Sequence, residues 1–249
     1  MLELLFADDN PITFEEIPLS FKYPLNLKIK NEEEKRRYEN LRSICDKVIT
    51  NRTLPLKKRL LILGKIFRNL ENLKGKEAEL NMEDFSEACQ DFSFFEDLPL
   101  SLSIQKKLVQ LYAERSGSIR EYAVEALRYF KSGEETTRYL EASARLEKLF
   151  PNLEIMFEKL LHNYMIYMQF PFSDPSHSLL DEFASLCGVY LFVNNVILGY
   201  MAEKNTLADF IDVAAALFRL INHSNFPNEV YAFLKMEYLT GIADLEKVI

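Results

Sequence analysis

The chain is poor in the residues that break helices. It has seven glycines and nine prolines in 249 residues. So few turn formers argue against many short connected elements and for long helices with few turns. Basic charge is not in excess. Thirty Lys and Arg stand against 38 Asp and Glu, a net charge of −8. That balance excludes non-specific nucleic-acid binding, because phosphate attraction needs a basic face. No helix-turn-helix pair with a basic second helix stands out, which disfavours a ligand-sensing transcription factor. Cysteines are three, Cys45, Cys89 and Cys187, far apart and odd in number. They imply no disulfide framework and have no metal-ligand spacing, so no metal ligands are assigned. A reducing cytoplasmic setting is expected. Met1-Leu-Glu-Leu-Leu-Phe6 lacks the basic start and long apolar stretch of a secretory leader. All seven glycines are isolated. They form neither a phosphate cradle nor a Rossmann-type loop for adenosylmethionine. With three histidines, no Ser-His-acid geometry can be chosen and no catalytic residue is assigned. His-x-x-x-His and Glu-x-x-His spacings are missing.

What the chain does have is a long uncharged run. Residues 183–202, between Glu182 and Glu203, carry no formal charge. A helix of that length with no charged face is surrounded by protein or by lipid. Asn194 and Asn195 sit in its middle, with Ser185, Tyr190 and two glycines nearby, and neither end carries a Lys/Arg cluster. Polar groups at mid-bilayer are costly, so the run reads as a central helix buried in protein, with no membrane span expected. The Asn pair then needs partners, either neighbouring helices or a pocket.

From residue 31 onward the apolar spacing is helical almost throughout. Tyr38, Leu41, Cys45 and Val48 step by threes and fours. Pro55 opens the next helix, with Leu56, Leu60, Leu63, Phe67 and Leu70 as its stripe and Gly75 as its end. Residues 76–91 are expected to be helical and 92–99 an aromatic-rich linker. Later stripes stop near Gly117 and Gly133, restart at Pro151, and run through Leu153, Phe157, Leu160, Tyr164 and Tyr167. A loop holds Pro171, Pro175 and His177. Thr206 and Asp209 form a capping-box-like start. Tyr231, Leu234, Tyr238 and Ile242 serve one last helix. Lys35-Arg36-Arg37 and Lys57-Lys58-Arg59 read as solvated helix faces. The class is all-α: a multi-helix bundle around the buried apolar helix, after a short irregular or extended N-terminal segment. A division into residues 1–95 and 96–249 is expected near residues 92–100.

Two polar groups could line a site. One is His162, Asn163 and Tyr164, with Tyr167 and Gln169 beyond. A tyrosine pair at a helical step of three is more often core than site. The other is Asp212, Arg219 and His223, spaced seven and four on one helical face. Such a ladder orients a substrate or forms a solvated charge face. Protonated His223 near a helix end would also be stabilised by the dipole.

Three stretches together resemble the flagellin lysine-N-methylase family. They are Leu2-Glu-Leu-Leu-Phe-Ala-Asp-Asp-Asn-Pro-Ile-Thr-Phe-Glu15, Ile49-Thr-Asn-Arg-Thr-Leu-Pro-Leu-Lys-Lys-Arg-Leu-Leu-Ile-Leu63, and the closing helices from Asn163 and Tyr164 to Arg219, His223 and Ser224. Residues 76–150 align as generic helix. The resemblance implies methyl transfer from S-adenosylmethionine to lysine side chains of flagellin. It implies flagellin as partner and a groove near Tyr164, Asn194 and His223, with His162, Asn163, Tyr164, Tyr167, Asn194, Arg219 and His223 as the candidate substrate-binding residues. It also implies an N-terminal cysteine cluster holding an iron–sulfur or metal centre. Cys45, Cys89 and Cys187 do not replace that cluster, so an incomplete family member is expected. A non-catalytic helical module that binds a protein partner is the alternative.

Overall fold

Helix Leu179–Met201 is long and apolar enough to span a membrane by length and composition, yet 94% of its apolar window is buried inside the protein. In this computed structural model the described residues are 2–12, 31–72, 102–130 and 133–249. They form eleven helices and no strand. These are α1 (Leu2–Leu5), α2 (Glu32–Ile49), α3 (Leu56–Asn72), α4 (Ser103–Arg115), α5 (Arg120–Tyr129) and α6 (Glu135–Leu149). They continue with α7 (Leu153–Tyr167), α8 (Leu179–Met201), α9 (Leu207–Asn222), α10 (Phe226–Met236) and α11 (Ile242–Glu246). The all-α class with a buried apolar helix is as expected. The expected boundary near 92–100, the helix over 76–91 and the stop of the preceding helix at Gly75 lie outside the described residues.

Contacts group the chain into two units. One holds Met1–Asp9, Leu98–Lys159 and Ala184–Ile249; the other holds Asn10–Asp97 and Leu160–Phe183. The chain passes between them within α7 and within α8.

In the first unit the missing charge on α8 has a direct cause. The helix meets a neighbour on every side. Its Phe192 joins Tyr112 of α4 and Phe226 of α10 in an aromatic cluster with centroids 4.6–5.3 Å apart. Tyr190 packs on Phe157 of α7. Ser185 Oγ donates to the Pro227 carbonyl at 2.9 Å. Asn194 Nδ2 donates to Tyr139 Oη of α6 at 2.8 Å, and Asn195 Nδ2 to the Leu191 carbonyl at 2.9 Å. The Asn pair is thus satisfied as buried amides must be. Two glycines let neighbours approach closely. A Cβ at Gly188 would sit 2.7 Å from Val230 of α10, and one at Gly199 would sit 2.7 Å from the Ala126 backbone of α5. Lys159 of α7 is buried and pins the N-terminal turn, donating to the Leu5 and Asp8 carbonyls and lying 3.3 Å from the Asp8 carboxylate.

In the second unit α2 and α3 are joined by a tight connection. Asn51 Oδ1 accepts from the Thr53 hydroxyl at 2.6 Å and its N–H at 3.3 Å, an Asx-type turn. Arg59 departs from the solvated face expected of it. It is 1% exposed and donates through Nη1 to the Ile49 carbonyl at 2.5 Å. Position 59 lies between Leu56 and Leu63 on the apolar stripe, and the α2 C-terminus offers its guanidinium an orphan carbonyl. Arg36 and Arg37 are exposed, as expected. The turn after α7 lays Phe170 against Phe67 and Phe172 against Tyr38. Buried Glu182 holds the rest of that turn. It accepts from Ser173 Oγ at 2.5 Å and the Asp174 N–H at 2.9 Å, and lies 3.3 Å from His177.

Two helices end on an unusual residue. Gln169 and Tyr238 have positive φ, 59° and 58°. After α7, the Phe170 N–H reaches the Met165 carbonyl and the Gln169 N–H reaches that of Ile166. After α10, Leu239 reaches Leu234 and Tyr238 reaches Lys235. Both are Schellman motifs with a side chain where glycine is usual. They explain two departures from the sequence pattern. Tyr167, the last residue of α7, is 54% exposed rather than on the apolar face, because the chain turns away before another turn can cover it. Tyr238 is 89% exposed, and the expected last helix is two, α10 and α11.

A cleft between the ends of alpha5 and alpha8

The close contact at Gly199 brings the C-terminal ends of α5 and α8 together. Beyond Met201 the chain must leave α8 with unpaired carbonyls. Arg145 of α6 takes two carbonyls in this turn, donating from Nη1 to Met201 at 2.8 Å and from Nη2 to Lys204 at 2.6 Å. Thr206 then caps α9: its hydroxyl oxygen accepts from the Asp209 N–H at 3.1 Å, fulfilling the expected capping pair. The turn from 202 to 206 is therefore fixed at both ends, and Glu203 and Lys204 project from a defined backbone.

These elements bound a cleft of about 460 Å³, lined by Glu125, Arg128, Tyr129, Arg138, Gly199, Tyr200, Glu203 and Lys204. Both tyrosine faces carry a cation. Lys204 Nζ lies 5.1 Å from the Tyr200 centroid, and Arg138 Cζ lies 5.8 Å from that of Tyr129. Lys204 also pairs with Glu125 at 3.5 Å. Arg138 pairs with Glu134 at 3.2 Å and Glu141 at 3.6 Å. Tyr122 braces the Tyr200 ring edge-on at 5.0 Å. Burial holds the Tyr129 and Tyr200 phenols above their ordinary value, so both stay neutral at physiological pH. Glu125, followed by the Tyr200 phenol, raises the Lys204 ammonium, which stays charged. Neutral aromatic faces beside carboxylates accept organic cations.

A second concavity of about 440 Å³ lies between α4 and α10, bordered by Leu111, Phe233 and Met236 among charged residues.

The residues singled out from sequence fall in both units. His162 is buried on α7, its Nε2 3.0 Å from Asp46 Oδ1 of α2. Tyr164 is buried beside it in sequence, Asn163 is half-buried and Tyr167 is exposed. These four belong to the second unit. In the first unit Asn194 is buried against Tyr139, while Arg219 and His223 are exposed at the end of α9. Asp212, the start of the expected ladder, accepts a hydrogen bond from Tyr122 instead. None of the seven candidates lines the 460 Å³ cleft. The cleft left a trace in the sequence: Glu125, Arg128 and Tyr129 share a helical face, and charge resumes at Glu203 and Lys204 where the neutral run ends.

The FliB lysine N-methylase C-terminal domain model matches residues 42–247. The chain belongs to this family. No curated protein and no solved structure matches it. Within the FliB-family span lie all eight cleft residues and all seven candidates chosen from sequence. Cys45 and Cys187 are buried thiols on α2 and α8, each pushed well up by burial and so protonated. They do not suit an iron–sulfur centre, which needs thiolates brought together. Among the described residues, no cluster of three His, Cys, Asp or Glu could hold a metal; Cys89 lies outside them.

Proposed function

We propose that this FliB-family chain serves methyl transfer from S-adenosylmethionine to lysine side chains of flagellin in the cytoplasm, with the α5–α8 cleft receiving the cationic reactants. One observation carries the assignment to the cleft. Inside the matched domain, a lysine ammonium already rests on Tyr200 beside Glu125. The cleft's size lies in the range of small-molecule sites. Its donor set suits the charged end of the methyl donor. Glu125 and Glu203 would meet its ammonium and sulfonium, and Arg128 or Arg138 its carboxylate. When bound, S-adenosylmethionine supplies an electrophilic methyl group. The chain's residues hold the acceptor ammonium by charge and by the tyrosine face. That nitrogen must lose a proton before it attacks.

A second reading is a helical module that binds flagellin without transferring methyl groups. The partly apolar groove between α4 and α10, with Met236 72% exposed, favours it. One experiment separates the two. Flagellin is incubated with the chain and labelled methyl donor, alone and with a cysteine-rich segment of a family member supplied in trans. Label on lysine in either arm supports transfer. Flagellin binding without label in both arms establishes the module.

A further inference from the structure

We infer that Lys204 is an internal occupant of a cation seat, formed by the Tyr200 face and the Glu125 carboxylate, which an incoming alkyl cation takes over when it displaces the Lys204 side chain. The inference rests on the reading of the cleft as the reactant site and specifies how that site is filled.

Three features of the chain carry it. First, the seat is built. Tyr200 is held by the edge-on ring of Tyr122 at 5.0 Å, and Tyr122 is itself tied to Asp212 at 2.7 Å. Glu125 projects from α5 onto the same cation that covers the ring. Second, the occupant is tethered but displaceable. The Lys204 backbone is fixed by Arg145 through its carbonyl, so the side chain can leave without moving the turn. The Lys204 and Glu125 side chains are each about one-third exposed, at 34% and 36%. An ion pair this open is readily exchanged for another. Third, the space exists. The seat opens into the 460 Å³ cleft, whose rim adds Glu203 and the second tyrosine, Tyr129.

The ligand chemistry is an alkyl chain ending in a positive charge. Two reactants offer it: the ammonium of a substrate lysine and the sulfonium of the methyl donor. Lys204 resembles the first atom for atom, and its ammonium already lies 3.5 Å from Glu125.

The test is direct binding to the full chain by calorimetric titration. The probes are Nα-acetyl-lysine methylamide and S-adenosylmethionine. Nα,Nε-diacetyl-lysine methylamide and S-adenosylhomocysteine serve as controls lacking the terminal or sulfonium charge. Lys204→Met keeps the chain length and removes the competing charge. It is expected to tighten at least one cationic probe about threefold and neither control. Tightening of the lysine derivative alone marks the acceptor seat, and tightening of S-adenosylmethionine alone marks the donor seat. Tyr200→Phe, which keeps the aromatic face, is expected to bind within about twofold of wild type, and Tyr200→Leu to lose about fivefold. Circular dichroism confirms that each variant is folded.

Unchanged affinity for both cations in Lys204→Met, equal tightening of the controls, or no detectable binding of either cation to any folded form overturns the inference. Binding that follows the expected pattern without flagellin methylation sinks the transferase reading alone. Methylation that proceeds with no effect of Lys204→Met on binding sinks the seat alone.

Discussion

Tyr122 of α5 donates its phenolic proton to the Asp212 carboxylate of α9 at 2.7 Å. The bond ties α5 to α9 beside the Tyr200 ring that Tyr122 braces, and takes Asp212 out of the ladder its spacing with Arg219 and His223 suggested. The bond to Asp212, with burial second, pushes the Tyr122 phenol up to about 12. A raised folded-state value means the bond contributes fully below the ordinary tyrosine value of 10.0, and its contribution fades as pH climbs toward 12. Stability is expected to fall across that window, and less steeply in Tyr122→Phe. Urea unfolding of both proteins over the window checks this; equal slopes contradict it.

Gly199 sets the depth of the α5–α8 contact. A methyl group there meets the Ala126 backbone at 2.7 Å, which cannot rotate away. Gly199→Ala is expected to cost about 1–3 kcal/mol by overpacking. Gly117→Ala, with nothing within 4 Å of the added atom, is expected to stay within about 0.5 kcal/mol of wild type. Thermal unfolding of the pair is the measurement.

Tyr238 closes α10 in the left-handed region and is 89% exposed. Little packing is lost on removing the side chain, and the Cβ strain goes with it. Tyr238→Gly is expected to stabilise the protein by about 0.5–1 kcal/mol in denaturant titration.

Lys159 is buried, and its ammonium holds the Leu5 and Asp8 carbonyls. Lys159→Met keeps the stem and leaves both carbonyls unsatisfied. Residues 2–9 are expected to lose hydrogen-exchange protection, and the protein about 1–3 kcal/mol. Unchanged exchange there would show that the Phe6–Phe210 contact suffices.

The helical periods made the fold class legible, because burying one face of a helix forces apolar steps of three and four. The uncharged run announced α8 as central for the same reason. Local capping was legible at Thr206, where the bond spans three residues. Arg59 was not, because a single charge on an apolar stripe reads as surface unless the facing helix end that receives it is known. The Schellman ends at Gln169 and Tyr238 were hidden because neither residue is glycine. The cleft was the least legible part. Its tyrosines, carboxylates and cations come from α5, α6, α8 and the turn after α8, some 80 positions apart along the chain. Histidines and asparagines drew attention instead, yet His162 and Asn194 spend their polarity on Asp46 and Tyr139.

The most direct test of the account is the intact mass of flagellin after incubation with the chain and S-adenosylmethionine. Wild type is compared with a folded variant that lacks both tyrosine faces, Tyr129→Leu with Tyr200→Leu. Methyl increments on lysine with wild type, lost in the variant, are the predicted result. Equal increments with both proteins would contradict the assignment of the cleft.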